Sequence, residues 1–234
     1  MFEKIKQYLK KKRRAKRIKS LTKKQPPYLK KDFGVELNYK LWITKGARFS
    51  ASERNKKLND LSTKTVGYLS AYLIIINLVN VYNVPFLIKL SENELGFWTA
   101  ALSILILLYS QFESAQNYSL KGEKFHQCSL DIAELYNQLR MVKTSTLLNK
   151  SHEEISISEI SKKYDAILKQ HENHSNIDNK VFKTFKSDYF ELTKVNVWKI
   201  KVERYFRVYF KYHLMIYGPI IIFVLNQVSK KYFY

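Results

Sequence analysis

A single cysteine, Cys128, is all the thiol this chain carries. It cannot close an intrachain disulfide, and no Cys-x-x-Cys pair exists to hold zinc, so disulfide-stapled and zinc-ribbon designs are excluded and a reducing compartment fits. Glycine and proline are scarce, six and four in 234 residues; without that punctuation the chain favours long helices over short strands and tight turns. Acid is scarce as well. Against 41 Lys and Arg there are 20 Asp and Glu, a formal charge of +21, which favours anionic partners such as lipid head groups, nucleic acid or other polyanions. No internal repeat stands out. No secretory signal is expected, because the first apolar run begins near residue 65, far beyond a usual signal core. There is no glycine-rich phosphate loop, and His152-Glu153-Glu154 lacks the second histidine of a zinc-protease helix. His171 and His174 have no acid or thiol cluster with them. The expectation is therefore a protein with no metal, no cofactor and no enzymatic activity.

What the chain does have is two uncharged stretches, 65–88 between Lys64 and Lys89 and 95–112 between Glu94 and Glu113, joined by six residues. As helices they measure about 36 and 27 Å against a bilayer core of about 30 Å. Leu73-Ile74-Ile75-Ile76 and Ile104-Leu105-Ile106-Leu107-Leu108 are apolar on every side, the mark of a helix in lipid or at the centre of a large core. The chain has little else from which to build a large core, so a transmembrane hairpin is the reading, with a buried hairpin of a soluble protein as its rival. Phe97 and Trp98, with Tyr82 and Phe86, supply aromatic groups for the outer interface, and Asn83-Val84-Pro85 can end or kink the first helix. The hairpin holds no charge or histidine, which argues against a proton relay or charged filter. Its polar residues are candidates for lining a pore between associated hairpins: Ser70, Asn77 and Asn80 on the first helix, and Thr99, Ser103 and Ser110, within about 40° of one another, on the second. The competing role is hydrogen bonding between helices, about 0.6 kcal/mol on average.

Residues 1–64 carry 21 basic and 5 acidic side chains. The positive-inside tendency puts them in the cytoplasm, with the hairpin tip outside and residue 113 onward back in the cytoplasm. The N-terminal end is the most basic part, with Lys10, Lys11, Lys12, Arg13, Arg14, Lys16 and Arg17 in one block. These side chains suit anionic lipid or nucleic-acid phosphate, or form a solvated tail that only fixes orientation. Gln25-Pro26-Pro27 ends any helix there. Between the prolines and the hairpin, Trp42 and Phe49 are candidate interface anchors or packing residues.

Past the hairpin, Phe125, Cys128, Ile132, Leu135, Leu139 and Val142 recur at alternating intervals of 3 and 4. This is a heptad seam able to pack on another helix or another subunit; Phe125, Ile132, Leu135 and Leu139 are its candidate oligomer contacts. Ile160, Tyr164, Ile167 and Leu168 make a second helical pattern, closed by the turn-like Asn173-His174-Ser175-Asn176. The spacing of Phe182, Phe185, Tyr189 and Leu192 predicts a packing helix rather than a base-stacking surface. The last apolar run, 214–225, suits a buried or re-entrant helix and, extended to Val228, a thin third span kinked at Gly218-Pro219.

Trp42-Ile43-Thr44-Lys45-Gly46-Ala47-Arg48, Ala51-Ser52-Glu53-Arg54, Leu61-Ser62-Thr63 and Leu69-Ser70-Ala71-Tyr72-Leu73-Ile74-Ile75 together resemble the SLATT domain, in particular its fifth family, the one seen beside reverse transcriptases. The resemblance runs from about Leu37 to the C-terminus and leaves the basic tail outside. It implies a two-helix membrane effector of bacterial conflict systems, which oligomerises to open pores. It also implies a sensing partner, a reverse transcriptase or a nucleotide-signal enzyme. The expected architecture is an all-α membrane protein. A basic tail (1–36) leads through a juxtamembrane helix (37–64) to a transmembrane hairpin (65–112), a cytoplasmic helical bundle (113–211) and a C-terminal apolar helix (212–234), a candidate third span. The expected protein is a multi-pass, homo-oligomeric effector in contact with lipid at the inner membrane, for antiviral defence. A membrane-anchored scaffold recruiting a polyanion through the tail is the alternative.

Overall fold

The computed structural model describes residues 32–82, 92–145 and 149–233. The basic block at residues 10–17, the prolines behind it and the hairpin tip therefore lie outside the described residues. Among the described residues seven α-helices follow in order: α1 (Phe33–Val81), α2 (Glu92–Ala115), α3 (Tyr118–Thr144), α4 (Lys150–Gln170), α5 (Asn176–Thr184), α6 (Lys194–Arg204) and α7 (Phe210–Phe233). A π-helical turn, Tyr205–Tyr209, joins α6 to α7 without leaving the right-handed helical region. Among the described residues there is no strand.

α1 is the axis of the molecule. Its start is capped by Asp32, whose carboxylate accepts the Val35 amide proton at 2.9 Å. That bond, with Lys143 nearby, holds the Asp32 carboxyl below its usual range. The helix then runs for 49 residues, about 73 Å, with no break at the expected boundary near residue 64. Its first half is the spine of a bundle and its second half the first arm of the hairpin.

The bundle core joins Leu37 and Leu41 of α1, Cys128, Ile132, Leu135 and Leu139 of α3, and Ile157, Ile160 and Tyr164 of α4. This corrects one expectation. The heptad seam of α3 is not free for a second subunit: Ile132 and Leu139 are fully buried, and Phe125 and Leu135 nearly so. The chain fills the seam itself because α1 and α4 bring their own apolar stripes to it, and an internal partner needs no association entropy. A second difference is at the hairpin exit. α2 does not continue straight into the seam; Asn117 adopts φ 50°, a left-handed conformation asparagine tolerates, and α3 starts afresh at Tyr118.

Trp42 and Phe49 are half-buried and pack against side chains of the bundle. The Trp42 ring lies 5.3 Å from Phe182, 4.8 Å from Tyr189 and 5.6 Å from Phe190, and Phe49 meets His126. The expected helix through Phe185 and Tyr189 is interrupted: α5 ends at Thr184, and a turn with Glu191 at φ 51° leads to Thr193, whose hydroxyl caps α6.

α1 and α2 are long and apolar enough to cross a membrane, and in their most apolar stretches only 11% and 6% of residues are buried. The core helix of a soluble protein would have these stretches covered, so the hairpin is that of a membrane protein. α7 lies alongside it. Pro219 stands inside α7 and removes one amide proton from the ladder, and the Tyr72 hydroxyl of α1 donates to the Ile216 carbonyl at 2.7 Å. The bond ties α1 to the turn of α7 that the proline interrupts.

Candidate functional site

The middle of α1 carries an unusual run of buried polar side chains: Arg48, Ser50, Ser52, Asn55, Ser62 and Thr65. Three of them donate to a backbone carbonyl, and the neighbouring Arg54 forms an ion pair. Ser52 donates to the Gly122 carbonyl of α3 at 2.8 Å, Asn55 to the Ala51 carbonyl and Thr65 to the Leu61 carbonyl. Arg54 reaches Asp178 of α5 through two nitrogens, at 2.8 and 3.1 Å. Asp178 also accepts the Ser175 amide proton at the start of α5, so one buried carboxylate fixes the helix start and ties it to α1. Gly46 sits so close to Phe182 that any Cβ there would fall into its ring. The small residues of this segment let α3 and α5 approach the α1 backbone.

Arg48 is different. It is 0% exposed, its Nε and Nη1 have no hydrogen-bond partner, and its guanidinium lies 5.4 Å from the centroid of the Phe125 ring. Nearby, burial first and Arg48 second push the half-buried His174 below its ordinary value, and its Nδ1 is also without a partner. Burial pushes the Cys128 thiol up, so it is a core thiol and not a reactive one. Among the described residues no group of histidines, cysteines and carboxylates could hold a metal ion.

Where the hairpin leaves the bundle, the polar groups converge into a clasp. Glu113, at the end of α2, is largely buried. It accepts from the Tyr212 hydroxyl at 2.8 Å and from Lys211 at 3.1 Å, both at the start of α7. Tyr212 also meets the Tyr118 hydroxyl at 3.3 Å, and Leu58 and Leu61 of α1 pack against Tyr209 and Tyr212. The clasp thus pins α1, α2, α3 and α7 at one level. Beside it a polar cleft of about 710 Å³ opens between α1 and the α2–α3 junction, lined in part by Asn59, Ser62, Thr63, Ser110, Glu113 and Asn117. Above it, an apolar groove of about 400 Å³ runs between α1, α2 and α7, through Leu73, Leu105 and Pro219.

Of the pore-lining candidates whose side chains are described, the structure brings only Ser110 into a polar site, the cleft. Ser70 is half-buried on α1. The exposed Asn77 turns its amide back to the Leu73 carbonyl at 3.0 Å. Thr99 donates to Gly96 and Ser103 to Thr99, at 3.1 and 2.7 Å. These side chains bond their own helix and not a neighbouring one. The side chain of Asn80 lies outside the described residues. Sequence reading missed Glu113 as a functional group, taking it only as the charge that ends the apolar run. Its signal was a lone acid next to an apolar helix, with Lys211-Tyr212 at the head of another.

A family model matches residues 30–225, that of SMODS and SLOG-associating 2TM effector domain family 5. No curated protein and no solved structure matches the chain.

Proposed function

The chain belongs to the SMODS and SLOG-associating 2TM effector domain family 5, and from that membership we propose that it is the membrane effector of a bacterial conflict system, one that permeabilises the membrane when copies assemble. The observation that carries this reading is the clasped hairpin. Two helices with few fully buried residues in their most apolar stretches are locked through Glu113 to a polar bundle, and a polar cleft opens at their base. Movement in the bundle is thereby coupled to the membrane arms. α7, 24 residues and about 36 Å long, joins them as a third membrane helix. The basic balance of residues 1–64, 21 against 5, supports a bundle on the cytoplasmic side of the inner membrane. The activating partner on this reading is a reverse transcriptase or a nucleotide-signal enzyme encoded nearby. The basic tail, with Lys10–Lys12, Arg13, Arg14, Lys16 and Arg17, adds a contact to anionic lipid or nucleic acid.

A potential-sensitive dye in cells expressing the protein with its neighbouring genes tests the reading. Depolarisation before growth arrest is expected. Arrest at an unchanged potential overturns permeabilisation and favours the scaffold alternative, which binding of RNA or anionic liposomes by chains with and without residues 1–24 then checks.

A further inference from the structure

The seam that sequence reading reserved for oligomers is spent inside the chain, yet two other faces are uncovered. The first runs along α6, the π turn and α7. α6 buries none of its residues; Val195, Trp198 and Phe206 are 59%, 63% and 60% exposed, and the same side continues through Leu214 and Tyr217 of α7. The charges bordering its α6 part are Lys194, Lys199 and Lys201, all exposed. The second face runs along α2 and α3. Leu108 and Phe112 are exposed on α2, Leu120 and Leu130 on α3. At 100° per residue Leu120, Glu123, Gln127, Leu130, Glu134 and Met141 share one side of α3, and its charges are Glu123 and Glu134.

Both faces cross the clasp level, with an apolar part beside the hairpin and an apolar part beside the bundle. Lipid can cover Leu214 and Phe112, but Trp198, thirteen residues before Lys211, is about 20 Å beyond it. A soluble partner has the converse problem. A second copy of the chain covers both zones at once. The two faces also stand in register. Gly122 abuts Asn55 and Lys56 of α1, and Leu130 is eight residues further from the hairpin. Tyr209 lies against Lys57 of α1, and Trp198 is eleven residues further from it. Counted back along α1, Leu130 and Trp198 fall within about 3 Å of one level. Four residues further from the hairpin on each face stand Glu134 and Lys194, opposite in charge.

We infer that the α6–α7 face of one copy docks on the α2–α3 face of the next, Trp198 against Leu130 and Lys194 against Glu134. The inference rests on the proposal that copies assemble, and it names the surface. Because the two faces differ, the contact is heterologous. A copy that offers one face keeps the other free, so assembly proceeds past a dimer and closes into a ring when the rotation permits.

Cysteine crosslinking of the full chain in membranes tests it, since the native Cys128 is buried and replaceable by alanine. In a Cys128→Ala background, Leu130→Cys with Trp198→Cys is expected to give a ladder of dimers, trimers and larger species, and neither cysteine alone should do so. A dimer from Trp198→Cys alone, with no ladder from the pair, overturns the inference, as does no crosslinking at all. A second measurement keeps the native cysteine. Glu134→Lys should lower the assembled fraction on native gels by up to about fivefold, the effect of one exposed ion pair, and adding Lys194→Glu should restore it. Failure of the swap to restore assembly counts against this pairing. Dye depolarisation is read in the same cells: a ladder without depolarisation sinks permeabilisation and leaves the interface standing, and depolarisation without a ladder does the reverse.

Discussion

Replacing Arg48 by methionine should make the protein more stable. The guanidinium is fully buried, and its Nε and Nη1 have no partner. Each buried donor left unpaired costs about 1–3 kcal/mol. The Phe125 ring, 5.4 Å from the charge, returns about 0.5–2 kcal/mol. The balance is unfavourable, and methionine is of similar length, apolar and adaptable. The expected gain is about 1–4 kcal/mol, the range seen when buried charge is exchanged for apolar side chains. In a chain of this size each kcal/mol raises the melting midpoint by about 2–4 °C. Thermal unfolding followed by far-ultraviolet circular dichroism in detergent micelles measures it. Arg48→Ala serves as the control, because it removes the same charge but leaves a cavity and should gain less than the methionine variant. A methionine variant destabilised by more than about 1 kcal/mol would refute the reasoning and mean that the guanidinium is held by a partner such as an ordered water or an anion. Arg48 sits in the segment that carries the family resemblance, so retention of a costly charge there also predicts lower activity in the stabilised variant, read by dye depolarisation.

His174 makes stability depend on pH. Its folded value is depressed by burial and by Arg48, while Asp178 pulls the other way; below an unfolded value of about 6.5 the unfolded chain binds the proton first, so this contribution is present at neutral pH and is lost as pH falls. His174→Gln should flatten the fall in melting midpoint between about pH 7 and 5, and an unchanged slope would contradict the assignment. Gly46→Ala should destabilise by about 1–3 kcal/mol, because the new methyl meets the Phe182 ring and the core must shift; Phe182→Leu added to it should recover part of the loss in the same melt. Glu113→Gln should weaken the clasp by about 1–3 kcal/mol, since Lys211 loses its ion pair and Tyr212 its charged acceptor. If the clasp restrains the hairpin, that variant depolarises cells without the neighbouring genes, and silent cells count against the restraint.

Much of the fold was legible because it depends on short-range pattern. Uncharged runs bounded by Lys64, Glu94 and Glu113 mark the hairpin without reference to any neighbour. The 3–4 spacing from Phe125 to Leu139 marks a helix with one apolar side. What covers that side was not legible. Leu37 and Leu41 come from one part of the chain and Ile157 and Ile160 from another, and periodicity is the same for an internal partner and for a second copy. The site was less legible than the fold. Glu113, Lys211 and Tyr212 are about a hundred residues apart in sequence and meet only because α7 returns to the hairpin. Arg48 reads as one more lysine-like surface charge until α3 and α5 close over it. The aromatic run 182–190 suggested one helix, but it folds as a helix and a turn so that Phe182, Tyr189 and Phe190 can surround Trp42.

By itself, then, the sequence determined the class: helices from scarce glycine and proline, two membrane arms from two uncharged runs, and no intrachain disulfide from one cysteine. These follow from local composition, which sets whether a segment can leave water at all. The tertiary structure decided which apolar faces are spent and which remain, that one acid clasps the hairpin to the bundle, and that one arginine is buried with two of its nitrogens unpaired. Those are properties of distances between remote segments, and a one-dimensional pattern carries no such distances.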